Sequence, residues 1–546
     1  MQFALIIGAA LVAITALADW VAGRLRAPLS SALMLVGAAL TFIPGIPAVT
    51  IDPQLALLLF LPPLIYSSGV SMSWRGFRNN LRPILLLAIG CVLFTATAVA
   101  GVGHWWLGMP WAVAFVLGAV VSPPDPVAPM AVARNLKLPR RLMTILEGEG
   151  LANDATALIL LSFALGAVRH GGVSFVSAAM SFTLIVAGEL AWGLAVAWAI
   201  LRVRRATRSP QIEIMVSLLT PYLAFWPPHM LGGSGVLAAL AAGLHVSWYG
   251  PKFISPATRL QGYFVWGLLT HVLEGVLFLL MGLQAHRLAA GLGGDRWARL
   301  AFAGAAVTVT VIVVRFVWVF PATYLPRWLF PALRRREARP SWQDPSVIGF
   351  VGIRGVVSLI GALSIPVAVA GRPFPDRDVI LFVTFCVIVA TLVGQGSLLP
   401  WVLTRLGLVA TGEAEDTQAK ARELAARIQG VEAALAELDA LEQHGAPAGA
   451  VANLRRRHED RRAALLGVAD PAVTANPVAE DSGLQSRLIL AERRRIAQIY
   501  LRGAMTDDAR RRVERELDLE DARNRHALES ATGDSLADPE AEAIRD

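Results

Sequence analysis

The chain has 546 residues, of which 55% are hydrophobic and only 16% are charged, whereas soluble globular domains carry about a quarter charged residues. Residues 1–409 hold 29 Lys and Arg against 14 Asp and Glu, a net +15, and residues 410–546 hold 20 against 27, a net −7. This composition excludes a soluble globular protein and predicts a transmembrane domain over 1–409 followed by a charged tail over 410–546.

The apolar body divides into runs of about 20 residues, the length that crosses a bilayer. We count about thirteen such runs, at 3–23, 28–44, 53–72, 83–103, 111–133, 142–168, 174–201, 211–227, 232–248, 263–286, 298–325, 346–370 and 379–403. The pair between 211 and 248 is the least regular, because it is interrupted by Pro221, Pro227, Pro228, Gly232 and Gly233. The sequence therefore predicts an all-α polytopic membrane protein.

Cationic residues are distributed unequally between the connecting loops. With the amino terminus outside, the inner loops carry 20 Lys and Arg and the outer loops carry 6. Because positively charged loops stay on the cytoplasmic side, this predicts an outside amino terminus and, for an odd number of spans, a cytoplasmic tail. Arginine greatly outnumbers lysine, a bias that points to a bacterial source and so to a bacterial inner membrane.

The fifth span is interrupted by prolines. Pro123, Pro124 and Pro126 lack an N–H and clash with the carbonyl four residues earlier, so preceding carbonyls lose their helical partners. Inside a membrane such carbonyls are tolerated only where they line a cavity or meet a polar ligand. Asp125 lies in the break, and its carboxylate beside free carbonyls suits a small hard cation. The alternative interpretation is a structural kink in which Asp125 pairs with an arginine.

The sixth span carries three acids within Leu146-Glu-Gly-Glu-Gly-Leu-Ala-Asn-Asp154, and each ionisable residue inside a span is a candidate functional residue. Glu149 and Asn153 are four residues apart and share a helix face, and Gly150 lies one turn before Asp154. Glycine there leaves room for an ion or another backbone to approach the Asp154 carboxylate. Asn153 both donates and accepts, so it can bridge a neighbouring backbone or carboxylate.

The twelfth span contains a second interruption, because Gly349, Gly352 and Gly355 surround Arg354. Six spans, a linker helix and six more in inverted orientation would place the fifth and twelfth spans at matching positions. Two interrupted spans at matching positions indicate a transport site near the midplane, where the broken helices cross. Arg354 is expected to neutralise a nearby acid, with Glu149 as its partner, since a lone buried guanidinium is untenable; a purely structural Arg354 is the alternative.

The remaining charges in the spans carry weaker expectations. Glu274 would serve either an ion pathway or the packing of the tenth span. Asp19 and Glu189 are expected to be packing or interface charges, and Glu213 lies near the inner end of its span, within reach of Arg208 or water. The sequence has no phosphate-binding loop, no metalloprotease motif and no convincing dinucleotide loop, so we expect neither an enzyme nor an ATP-driven pump.

The tail has the pattern of soluble helices. Apolar residues recur three or four apart among charged ones from 424 to 441, which predicts an amphipathic helix. Gly445 and Gly449 end it, and a basic helix over 452–466 follows. The tail is expected to pack on itself or on a partner copy; a ligand-sensing domain is the alternative, and no motif supports it.

Three of these segments resemble the monovalent cation:proton antiporters, in the branch of bacterial sodium/proton antiporters and animal sodium/proton exchangers. Ser122-Pro-Pro-Asp-Pro-Val-Ala128 resembles the Asp-Pro segment of the family's unwound helix. Glu149-Gly-Leu-Ala-Asn-Asp154 resembles its Asn-Asp motif, and Gly352-Ile-Arg-Gly-Val-Val357 resembles its arginine-bearing helix. Phe278-Leu-Leu-Met-Gly-Leu-Gln284 is also similar to the bacterial members, and the resemblance covers roughly residues 1–405.

The resemblance implies that Asp125 and Asp154 bind Na⁺ and the proton in competition, while Asn153 holds the unwound segment. It implies that Glu149 and Arg354 form a structural or pathway pair, and that an Asn-Asp pattern accompanies electroneutral one-for-one exchange in a homodimer. Gly150 stands where relatives often carry a hydroxyl, so water would replace that ligand. Glu274 stands where many bacterial relatives have an amide.

The candidate ion and proton site therefore comprises Pro124, Asp125, Glu149, Gly150, Asn153 and Asp154, and the candidate ion pair or pathway comprises Glu149, Glu274 and Arg354. The expected function is secondary antiport of Na⁺, and also Li⁺, for H⁺ in pH homeostasis, with no cofactor and no nucleic acid. The alternatives are K⁺/H⁺ exchange, an organic anion (which would need net positive charge at the breaks), a channel without proton coupling, and a membrane sensor signalling through its tail.

Overall fold

The computed structural model describes most of the chain in the ranges 11–20, 29–41, 53–170, 175–207, 209–250, 256–284, 296–329, 340–369 and 371–469. Isolated positions between these ranges and scattered positions over 485–524 are also described. The chain divides into two compact units, Met1–Glu413 and Ala414–Asp546.

The first unit is built from helices. In chain order they are α1 (Leu11–Trp20), α2 (Leu29–Leu40), α3 (Pro53–Ser71), α4 (Trp74–Asn79), α5 (Leu81–Trp105), α6 (Trp111–Val121), α7 (Val127–Asn135), α8 (Arg140–His170), α9 (Phe175–Ala206), α10 (Pro210–Met230), α11 (Val236–Tyr249), α12 (Pro256–Leu283), α13 (Arg296–Leu329), α14 (Gln343–Phe350), α15 (Val356–Leu363) and α16 (Arg377–Arg405). Each of the thirteen predicted spans overlaps at least one of these helices.

Six of the described helices are long and apolar enough to cross a membrane by length and composition: α5, α8, α9, α12, α13 and α16. Several others are apolar but shorter, among them α6 and α11. The α10 helix continues through Pro221 and Pro227 to Met230. Helix-interior prolines of this kind are tolerated in membranes because neighbouring helices and side chains satisfy the freed backbone groups. The fold is thus polytopic and helical, as predicted, while the exact number of crossings and the inverted repeat stay predictions.

The twelfth predicted span differs from a single helix over 346–370. It is divided into α14 and α15, and α15 ends at Leu363, just before Pro366. A short antiparallel hairpin follows, in which β1 (Ala368–Val369) pairs with β2 (Arg372–Pro373). Gly371 next to β2 has a positive φ of 76°, which glycine adopts at no steric cost. These strands are the one departure from the all-α prediction within the described residues.

Two groups of helices pack within the first unit. One group contains α2, α3, α9, α10, α11 and α12, and the other contains α5, α6, α8, α13, α14, α15 and α16. The second group encloses an apolar core of fully buried side chains such as Val116, Leu117, Val307 and Val383. Another apolar cluster joins α3, α8, α11, α12 and α15, and the candidate site lies among these helices.

The second unit contains a helical hairpin, which confirms the prediction of a helical tail. The α17 helix (Leu408–Gln443), which starts in the first unit, and α18 (Ala448–Ala469) are joined by a turn at Gly445. Arg455 bonds Asp439 at 2.6 Å and Glu442 at 2.8 Å. A third pair, between Arg462 and Glu432 at 3.0 Å, lies further from the turn, so the two helices run antiparallel.

Candidate functional site

Two interrupted helices meet at the centre of the candidate site. The α6 helix ends at Val121 before the three prolines, and the chain resumes as α7 at Val127. The α14 helix ends at Phe350, and α15 begins at Val356. The two breaks are joined directly, because the Asp125 backbone N–H donates to the Ile353 carbonyl at 2.7 Å.

Asp125 binds the backbone of both broken helices. Its Oδ1 accepts from the Val127 N–H at 2.9 Å, and its Oδ2 accepts from the Val356 N–H at 3.4 Å. The carboxylate therefore lies at the amino ends of α7 and α15, where the helix dipole is positive. A Cβ at Gly355 would collide with this carboxylate, so glycine is required there. No arginine pairs with Asp125 among the described residues, contrary to the alternative reading of a proline kink.

Arg354 binds the opposite, carbonyl ends of the same breaks. Its Nε donates to the Val121 carbonyl at 2.9 Å, its Nη2 donates to the Ser122 carbonyl at 3.2 Å, and its Nη1 donates to the Gly352 carbonyl. Its backbone N–H donates to the Thr391 hydroxyl at 2.9 Å. The guanidinium, with five N–H donors, thus serves carbonyls that the proline break deprived of helical partners.

The predicted pairing of Glu149 with Arg354 is wrong. Both oxygens of Glu149 bind Arg315 of α13, at 2.6 and 2.8 Å, and Arg315 Nε donates to the Ile348 carbonyl at 2.9 Å. Glu149 and Arg315 are each only 1% exposed. The N–H donors of the Arg354 side chain bond the freed carbonyls instead of an acid. The sequence marks Arg315 as a charge inside a span, but nothing local in it says which arginine faces Glu149.

Asn153 ties α8 to the first break. Its Nδ2 donates to the Pro124 carbonyl at 2.7 Å, while its Oδ1 has no hydrogen-bond partner within the described part of the chain. Gly150 serves the same close approach, since a Cβ there would collide with the Pro126 ring. The space beside Gly150 therefore belongs to the neighbouring chain segment, the second of the two uses that the sequence suggested.

A cavity of about 70 Å³ lies between α3, α8, α12, α15 and the first break. One water needs roughly 10–15 Å³ measured in this way, so the cavity has room for an ion with some water. Its polar walls are Ser68, Asp125, Asp154, Glu274 and Ser358. No group of three His, Cys, Asp or Glu residues in the described ranges is close enough to hold a resident metal ion.

Asp154 differs from the other charged groups at the crossing, the place where the two broken helices meet. It is 7% exposed and lines the cavity. Its carboxylate makes no hydrogen bond or ion pair that the structure records among the residues it describes, and Asp125 is the nearby charge that acts on it. A buried carboxylate is costly unless it is neutralised, so the carboxylate of Asp154 needs a counterion or a proton.

The acids outside the crossing have structural partners. Glu189 accepts from the N–H groups of Gly235 at 2.9 Å and Leu237 at 3.0 Å and from Ser234, which satisfies the amino end of α11. This agrees with the expectation that it is a packing charge. Asp19 lies 3.2 Å from His271 at a half-exposed position.

Glu213 is the remaining acid for which the sequence predicts a partner, and that partner, Arg208, lies outside the described residues. Its carboxylate lies 4.0 Å from Arg204, and both side chains are buried. The sequence analysis did not single out Arg204, Ser358 or Thr391. A hydroxyl three residues after Gly355, at the start of a helix that follows a break, is the signal that could have identified Ser358.

Comparison with known proteins yields consistent similarities. The family model described as "Sodium/hydrogen exchanger, transmembrane" matches residues 9–405. The chain is 34% identical over 533 residues to a protein of Mycobacterium tuberculosis named as an uncharacterised Na⁺/H⁺ exchanger, covering 95% of this chain and 96% of that one. It is 32% identical to the sodium, potassium, lithium and rubidium/H⁺ antiporter of Bacillus subtilis, covering 64% of this chain and 54% of that one.

A solved structure shares the fold. The sodium proton antiporter MjNhaP1 from Methanocaldococcus jannaschii superposes with a TM-score of 0.58, covering 74% of this chain and 99% of that chain. The sequence identity is 17%, so this similarity concerns the architecture of the helices.

Proposed function

Because the chain belongs to the sodium/hydrogen exchanger family and is thus a cation/proton antiporter rather than an enzyme, we propose that it exchanges Na⁺, and also Li⁺, for H⁺. The exchange is one for one and electroneutral, and it takes place at the Asp154 carboxylate.

One observation carries this assignment: Asp154 lines the cavity and has no hydrogen-bond or ion-pair partner among the residues that the structure describes. The other charges at the crossing are already satisfied, since Asp125 accepts two backbone N–H groups and Arg354 donates to carbonyls. Glu149 is held by Arg315. Among the described residues at the crossing, Asp154 is the charged group without a bonding partner, and a proton or a monovalent cation can each neutralise it.

Competition for this carboxylate couples the two ions. An empty site leaves the Asp154 charge buried, which makes it costly to move the site from one side of the membrane to the other. A site that holds a proton or a Na⁺ ion is neutral and moves without this cost. Both loaded forms carry the same charge, so each turnover exchanges one cation for one proton. Asp125 and Arg354 hold the two broken helices in register, and Pro124 and Asn153 attach them to the helix that carries Asp154.

We also propose the membrane, the orientation and the oligomeric state of the protein. We place it in a bacterial inner membrane with its amino terminus outside and its tail in the cytoplasm, because the cationic loops would then face inward. It acts as a homodimer in pH homeostasis, with Glu274 at the wall of the ion pathway.

Potassium is the second candidate cation. The Bacillus subtilis relative is named for sodium, potassium, lithium and rubidium, so a related chain is associated with a wide range of cations. A K⁺/H⁺ antiporter would use the same competition at Asp154 and would differ only in the size of cation that fits.

The test measures proton movement in proteoliposomes under an imposed pH gradient, with Na⁺, Li⁺ and K⁺ added in turn. Na⁺ and Li⁺ are expected to trigger proton movement in the native protein, and a membrane potential is expected to leave the rate unchanged. Asp154→Asn abolishes the response, while Asp19→Asn, the same substitution outside the cavity, retains it. Full exchange in the Asp154→Asn variant would refute the site, and proton movement with K⁺ alone would replace sodium by potassium.

A further inference from the structure

The Ser358 hydroxyl is buried without a partner. Ser358 is the third residue of α15 and is 1% exposed, and its Oγ has no hydrogen-bond partner among the residues that the structure describes. A buried hydroxyl without a partner costs free energy, and most are bonded. Ser358 and Asp154 both line the cavity, so a ligand bound in the cavity can bond the Ser358 hydroxyl.

The helix break explains why Ser358 lacks the usual acceptor. A serine inside a helix normally donates to the carbonyl three or four residues earlier, as Ser162 does to Leu158 and Ser71 does to Ser67. For Ser358 those carbonyls belong to Arg354 and Gly355, which lie in the interrupted segment before α15. The Gly355 carbonyl accepts the Leu359 N–H at 3.3 Å, and neither carbonyl accepts the Ser358 hydroxyl, which leaves it available to the cavity.

The α8 side of the cavity offers no hydroxyl at the turn before Asp154. Position 150 is glycine, and the space that a side chain would occupy there is filled by the Pro126 ring. Asp125 has each of its oxygens in contact with a backbone N–H. A buried hydroxyl ligand for a cation at Asp154 therefore comes from another helix, and Ser358 on α15, which lines the same cavity, supplies one.

We propose that the Ser358 Oγ ligates the transported cation together with the Asp154 carboxylate, so that the bound cation bridges α15 and α8. This inference rests on the proposed antiport at Asp154 and adds a ligand to that site. A hydroxyl oxygen is a neutral ligand with two lone pairs, suited to a hard cation, and it leaves the charge balance of the exchange unchanged. A proton on Asp154 needs no such ligand, so Ser358 favours the cation over the proton in their competition.

The experiment compares Na⁺-dependent proton exchange in proteoliposomes for the native protein and for Ser358→Ala. Loss of one ligand of hydrogen-bond strength is expected to raise the KM for Na⁺ about tenfold with little change in maximal rate. At a fixed subsaturating Na⁺ concentration, inhibition by acid is expected to begin at a higher pH, because the proton meets a weaker competitor. Ser358→Thr, which keeps the hydroxyl, is expected to restore the KM to within about threefold of the native value.

Ser364→Ala is the matched control, because it removes a hydroxyl near the end of α15 that is bonded to the Gly361 carbonyl and does not line the cavity. It is expected to behave as the native protein. An unchanged KM in Ser358→Ala, or a lower maximal rate at an unchanged KM, would overturn the ligand role. Asp154→Asn separates the two proposals: if it abolishes exchange while Ser358→Ala has a native KM, the antiport site stands and the Ser358 ligand is refuted.

Discussion

The buried pair between Glu149 and Arg315 allows a quantitative test of the helix arrangement. Arg315→Met keeps most of the side-chain volume but removes the two hydrogen bonds to Glu149 and the one to the Ile348 carbonyl. A buried carboxylate then remains without its counterion, which costs about 3–5 kcal/mol of the free energy of unfolding. Glu149→Gln in the same chain removes the stranded charge, so the double variant is expected to recover about 2–3 kcal/mol of that loss.

A second double-mutant cycle, on Arg354 and Glu149, distinguishes the observed structure from the Glu149–Arg354 pairing that the sequence suggested. Arg354→Met leaves carbonyls of Val121, Ser122 and Gly352 without their donor, and each such carbonyl costs about 1–3 kcal/mol. Because Arg354 makes no ion pair with Glu149 that the structure records in the described ranges, adding Glu149→Gln is expected to recover less than about 1 kcal/mol.

The assay is unfolding in mixed detergent micelles by increasing mole fractions of sodium dodecyl sulfate, followed through the fluorescence of the 15 tryptophans. The three single variants (Arg315→Met, Arg354→Met and Glu149→Gln), the two double variants and the native protein are measured under one set of conditions. A coupling energy between Glu149 and Arg354 as large as that between Glu149 and Arg315 would refute this arrangement of α8, α13 and the second break.

Three further predictions concern residues that hold the site in place. Gly150→Ala is expected to destabilise the protein by about 1–3 kcal/mol and to reduce exchange, because the methyl group meets the Pro126 ring. Gly166→Ala, in the same helix with open space beside it, should unfold like the native protein, and equal effects of the two substitutions would contradict the packing. Asn153→Ala strips the Pro124 carbonyl of its donor and should cost about 1–3 kcal/mol in the same unfolding assay, with native stability as the opposing result. Glu189→Ala should lower the unfolding midpoint but leave the KM for Na⁺ unchanged, and a raised KM would place Glu189 in the transport path.

Part of the site follows from local sequence alone. The prolines around Asp125 and the glycines around Arg354 predict the two breaks, and the structure has them at residues 122–126 and 351–355. The chemistry of Asn153 predicts that it can bridge a neighbouring backbone, and the family resemblance implies that this backbone is the unwound segment; the hydrogen bond from Asn153 to the Pro124 carbonyl is found. The two breaks depend on backbone chemistry within one or two helical turns.

Other parts depend on which helices are neighbours. Composition, apolar run lengths and the positions of proline and glycine by themselves determine that the chain is a polytopic helical membrane protein with two interrupted helices, because each reflects a local cost of placing backbone or charge in lipid. Helical periodicity gives the face of a residue but not the helix that the face contacts. Only the tertiary packing decided that Glu149 meets Arg315, that Arg354 bonds carbonyls, and that Ser358 shares a cavity with Asp154. Lipid-facing and protein-facing apolar surfaces are chemically alike, so the choice of neighbour depends on the close fit between helices that are distant in sequence.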